Sequence, residues 1–148
     1  MKAHPAKHPD AALVVAYEAT EYRVFGPNPC LLKVGDRGGL CDTWLDRARA
    51  TSASILTAWN PFSLALSPAH NARRQRLLRA RVRASKLSFA PAEGRDPSGQ
   101  WPPEPSVCVF DLSEPMLMVW LMEFEQYAAL RVVLGGECHL AWHPETSP

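Results

Sequence analysis

The sequence predicts an α+β fold, a single domain with a mixed β-sheet and helices packed on it. Three observations predict it. A chain of 148 residues, 47% hydrophobic and 21% charged, has the size and balance of one globular domain with its own core. Two short runs, 54–59 and 106–112, are apolar on both faces, as strands in the middle of a sheet are. Finally, Gly26-Pro27-Asn28-Pro29 and Gly135-Gly136 are hairpin turn signals that join strands directly.

The elements follow in order. Residues 1–9 are polar and read as a disordered tail, leaving 10–148 as the domain. Asp10 can cap a helix through Tyr17, with Leu13, Val14 and Tyr17 on its apolar side. Strands 22–25 and 30–34 flank the first turn. Residues 40–50 fit an amphipathic helix with Leu40, Trp44, Leu45 and Ala48 inward. The central strand 54–59 comes next. Ser67 as cap and Pro68 at the first helical position start a helix that runs to about 84. Residues 91–105, rich in Pro and Gly, read as a long loop, either a lid or disordered. The buried strand 106–112 precedes Ser113, which caps a helix over 114–125. That helix is apolar nearly all round, so it is expected to be largely buried. Strands 128–134 and 138–142 close the chain.

Charge and cysteine usage exclude several classes. The net charge is +1, which announces neither a nucleic-acid nor a membrane partner. One stretch departs from that balance: seven basic residues and no acid lie between Arg73 and Lys86. Nucleic-acid binding through this basic helix, 73–86, ranks last among the functions considered, and a solvated face explains the charges. The four cysteines form no C-x-x-C and read as reduced thiols. The longest apolar run, 115–122, is too short to span a bilayer, and the expected location is cytoplasmic. No phosphate loop, nucleophile elbow or zinc motif is present, and neither cofactor nor metal is expected.

The polar residues converge where strands end. In a β-α-β crossover through 106–112, 114–125 and 128–134, both strands start at one end of the sheet, so Glu104 and Gln126 lie near each other. A strand 54–59 running antiparallel to them delivers Asn60 to that same end. On the helix from 68, Leu78 and Val82 must face the core. Stepping back four and then three residues places Arg74 and Asn71 on that stripe. An inward arginine near a helix N-terminus needs a carboxylate or an anion, and Glu104 is the expected partner.

With those residues laid out, the chain resembles a bacterial family known only as domain of unknown function 3293. The resemblance rests on Thr20-x-Tyr22, Thr57-Ala58-Trp59-Asn60-Pro61, Asn71-x-x-Arg74, Glu104-Pro105-Ser106 and Gln126 with Ala128. It spans about 16–142. Tyr127 stands where a small or polar residue is expected. The resemblance implies a shared fold and a shared polar cluster, and it implies no activity.

Two further readings concern that cluster. In the first, Asn60, Asn71, Arg74, Glu104 and Gln126 form a site for an anionic small molecule, with Glu104 as candidate general acid or base. Asn, Arg and Gln bind and orient, and no nucleophile accompanies them, so whether the protein is an enzyme stays open. In the second, the chain is a protein-interaction or regulatory module and Arg74 with Glu104 is a structural lock.

Overall fold

Every residue of the strand Ser52–Leu56 is buried, as its two-faced apolar pattern predicts. The computed structural model describes residues 8–148. Its elements are α1 (Ala11–Ala19), β1 (Glu21–Val24), β2 (Cys30–Lys33), α2 (Gly39–Arg47), β3 (Ser52–Leu56), a 3-10 turn (Pro61–Ser63), α3 (Pro68–Ser85), β4 (Phe89–Arg95), β5 (Glu104–Phe110), α4 (Glu114–Glu123), β6 (Ala128–Val133) and β7 (His139–Trp142). The helix caps are those the sequence specifies. Asp10, Ser67 and Ser113 each accept a backbone N–H three residues on, from Leu13, His70 and Met116.

The seven strands form one sheet in the order β2-β1-β4-β5-β3-β6-β7. The α+β class stands, and the sheet is antiparallel at every adjacent pair rather than mixed. The reason lies in the crossover. β5 and β6 do run the same way through α4, but β3 sits between them and pairs antiparallel with both. The sheet curls until its edges nearly meet. Gly35 N donates to Cys138 O (2.8 Å) and Cys138 N to Asp36 O (2.7 Å), next to an Arg37–Glu137 bridge.

Alternation along the strands divides the core in two. The concave face carries Val24, Leu32, Ile55, Cys108 and Leu130, closed at one end by Trp44 and Leu45 of α2. Trp44 donates its indole N–H to Asn28 O (3.0 Å) and packs on Phe110. The convex face carries Val107, Val109 and Ala129 under Leu78 and Val82 of α3 and Leu117, Trp120 and Leu121 of α4.

Several expectations are corrected. The 91–105 segment is not a loop: β4 runs to Arg95 and β5 begins at Glu104. Prolines mislead here because each stands just past the end of a neighbouring strand. Pro91 gives its carbonyl to Phe25 N (2.8 Å), beyond the last β1 pair Val24↔Ala92. Pro105 gives its carbonyl to Thr57 Oγ1 (2.7 Å), beyond the last β3 pair Leu56↔Val107. N–H and C=O of one strand residue point to the same side, so neither missing donor interrupts a ladder. Pro105 also explains why β3 stops at Leu56 instead of 59. Leu40 is 89% exposed rather than inward, because Cys41, Trp44 and Leu45 already fill the buried stripe of α2. Helix α4 is buried on one side only, for Met116, Val119 and Met122 are exposed. Of the tail expected over 1–9, residues 1–7 lie outside the described residues. His8 Nδ1 lies 2.8 Å from Ser147 O, and Pro9 is buried.

Candidate functional site

One end of the curled sheet is open. There β3 and β4 finish and β1, β5 and β6 begin. The concave-face residues at that end are Tyr22, Gly94, Glu104, Ser106, Gln126 and Ala128, and they surround a cavity of about 280 Å³. Helix α1 covers it with Leu13, Ala16 and Tyr17, and Trp101 and Pro102 stand on its rim. That volume holds roughly nine waters at about 30 Å³ each. Trp101 is 54% exposed there. Asp96 fixes its loop by accepting from the N–H groups of Ser98, Gln100 and Trp101.

The segment after β3 is held by side chains from α3. Gln75 Oε1 accepts Ala58 N (3.0 Å). Asn71, 2% exposed, accepts Asn60 N (2.8 Å) and donates to Asn60 Oδ1 (2.7 Å). Asn60 Oδ1 also accepts Leu66 N (3.1 Å). Between these anchors the backbone is strained: Asn60, Phe62 and Ser63 have φ of 45°, 48° and 59°. A bulky aromatic residue rarely adopts that region. Phe62 is kept there by its N–H on Glu125 O (2.7 Å) and by ring contacts with Tyr127 (5.2 Å) and His143 (5.6 Å). The unexpected Tyr127 thus serves as backing for the loop. The result aims Asn60 Nδ2 at Glu104 Oε1 (3.3 Å) and puts Ser63 Oγ 3.4 Å from the Tyr17 hydroxyl.

Arg74 goes elsewhere. Its Nε donates to Ala58 O (2.8 Å), one Nη to Phe124 O (2.6 Å), and the other lies 3.5 Å from Glu125 Oε1. The expected Arg74–Glu104 pair is corrected to Arg74–Glu125. Alternation is the cause: Val107 and Val109 face α3, so Glu104 and Ser106 face the other side of the sheet. Arg74 does not line the cavity but a separate surface groove with Leu77, Arg81 and Glu123. An anion preference at the cavity therefore cannot come from it.

Of the five residues read from the sequence, Asn60, Glu104 and Gln126 line the cavity and Asn71 and Arg74 support it from behind. Gln126 spends its amide N–H on Trp59 O (3.2 Å) and Phe124 O (3.1 Å), leaving its carbonyl oxygen without a donor among the described residues. Burial raises the Glu104 carboxyl above its ordinary range, and the Asn60 amide opposes this. Burial also pushes the Tyr17 phenol up to about 12 and the Tyr22 phenol higher still, with the Glu104 charge adding to both. These phenols stay protonated near neutral pH. Sequence reading missed Gln75, though it lies on the Asn71–Leu78–Val82 stripe. It also missed Tyr17 and Tyr22 as cavity walls, because nothing local places α1 over the sheet.

The family described as Protein of unknown function (DUF3293) matches residues 56–129. The chain belongs to that family. The DUF3293 match is shorter than the 16–142 expected, yet it contains Asn60, Asn71, Arg74, Glu104 and Gln126. Tyr17 and Tyr22 fall outside it. No curated protein and no solved structure matches the chain. Among the described residues no group of three His, Cys, Asp or Glu is placed to hold a metal, and no helix is long and apolar enough to cross a membrane.

Proposed function

We propose that this protein binds a small polar molecule in the mouth of its curled sheet, with Asn60, Glu104 and Gln126 as contacts. The observation that carries the reading is the Asn60–Ser63 loop. Three non-glycine residues of four hold positive φ, and buried side chains pin them over a cavity. Strain of this kind costs of order 1–3 kcal/mol per residue and persists where the surrounding fold enforces it, often at binding sites. A cavity at a barrel mouth with a few convergent polar groups is the usual form of a small-molecule site.

Glu104 is the candidate acid or base. Burial raises its proton affinity above that of an ordinary carboxylate, as in groups that exchange protons, and Asn60 orients one of its oxygens. Asn71, Gln75 and Arg74 position the loop and touch no ligand. The structural-lock reading applies to Arg74 with Glu125 and is compatible with the site, since the two occupy opposite faces of the sheet. Four free thiols favour the cytoplasm as its location.

The test is ligand-observed NMR with a library of small polar fragments, on wild type and on Ala16→Phe, which fills the cavity from α1. Fragments that bind wild type should lose binding to the variant. Hits that do not distinguish the two proteins would overturn the reading.

A further inference from the structure

Glu104 has no ion-pair partner among the described residues. Arg74, the cation that the sequence assigns to it, is committed to Glu125 and to two carbonyls on the other face. Among the described residues no Lys, Arg or His nitrogen lies within 4.0 Å of the Glu104 carboxylate. Among the described residues its one side-chain hydrogen bond is the long 3.3 Å bond from Asn60. A partly buried carboxylate with so little compensation is costly. Gln126 also lines this cavity, and its side-chain carbonyl oxygen accepts nothing from the described residues. An acid with one long bond and an amide oxygen with none from the described residues thus share a space walled by Tyr17, Tyr22 and Trp101.

We infer that the ligand is a flat organic cation, an amidinium or protonated amino-heterocycle, whose N–H groups bind Glu104 and Gln126 and whose face lies against the aromatic wall. This inference rests on the reading of the cavity as a binding site. Charge-assisted bonds to the carboxylate supply the counter-charge, and aromatic faces attract cations. The surrounding titratable groups leave Glu104 as the one that sets the pH response. Tyr17 of α1 and Tyr22 of β1 remain neutral phenols. Arg95 and Asp96 stand at the rim, and Asp96, held low by the Ser98 hydroxyl, stays anionic. Cation binding requires ionised Glu104, so affinity should rise with pH through the raised carboxyl range and fall in acid.

The experiment titrates three isosteric probes, benzamidinium, benzamide and benzoate, into wild type and Glu104→Gln by calorimetry from pH 5 to 8. Benzamidinium should bind wild type at least about tenfold more tightly than benzamide at pH 8, the effect of one charge-assisted bond. That preference should shrink toward pH 5 in wild type and vanish in Glu104→Gln. The wild-type pH series stands alone if the variant folds poorly. Benzamide or benzoate binding as well as benzamidinium would overturn the charge inference and leave the cavity reading intact. Binding of none of the three would overturn both.

Discussion

Replacing Arg74 by Ala removes a clasp from α3 to two segments: to the Ala58 carbonyl after β3, and to the Phe124 carbonyl and Glu125 carboxylate after α4. The loss has two parts. Two hydrogen bonds from a charged donor disappear, and Glu125 is left as an unpaired acid whose side chain is only 15% exposed. Its second oxygen, Oε2, already has no hydrogen-bond partner among the described residues. Breaking a fully buried pair costs about 3–5 kcal/mol, and Arg74 retains 23% exposure, so about 2–4 kcal/mol is expected. For a chain of this length that lowers Tm by roughly 6–14 °C. Thermal and urea melts measure it. Much of the cost is the stranded charge, so Arg74→Ala/Glu125→Gln should recover about half. Benzamidinium binding should survive in the double variant, because neither residue lines the cavity. A single variant within about 0.5 kcal/mol of wild type, the range of an ordinary surface substitution, would refute the clasp.

Further outcomes follow from the same geometry. Asn71→Ala removes three bonds of a buried amide and should cost about 2–3 kcal/mol, with faster hydrogen exchange at the Asn60 and Leu66 amides. Glu104 has its folded-state affinity for protons raised, so its ionisation opposes folding above the usual carboxylate range. Glu104→Gln should therefore gain Tm relative to wild type as pH rises from 4 to 8, and a gain confined to acid would contradict the burial. Changing Arg73, Arg76 and Arg83 together to Gln should alter stability by less than about 1 kcal/mol. Salt-sensitive binding of single-stranded RNA by wild type would instead give that helix a function.

The supporting half of the site was readable because helical stripes are local. Asn71 and Arg74 follow from their spacing to Leu78 and Val82, and Gln75 lies on the same stripe. The convergence of Asn60, Glu104 and Gln126 followed from strand direction alone. The Arg74 partner did not, because it depends on which sheet face α3 covers and on a left-handed Glu125 (φ 55°) that turns its carboxylate back. Strand β4 was hidden by Pro91 and by Pro97 to Pro105 beyond it, since sequence does not reveal that a proline sits past a neighbour's end. The curl that creates the cavity is a tertiary property. It arises where the segments beside β2 and β7 meet, about a hundred residues apart in the chain, a separation that local patterning does not encode.

The most direct measurement is a crystal structure of the protein soaked with benzamidine. The expected result is an amidinium bonded to the Glu104 carboxylate and the Gln126 carbonyl oxygen, with its ring against Tyr17, Tyr22 or Trp101. A mouth with Glu104 bridged to a protein cation, or the probe bound away from these residues, would contradict the account.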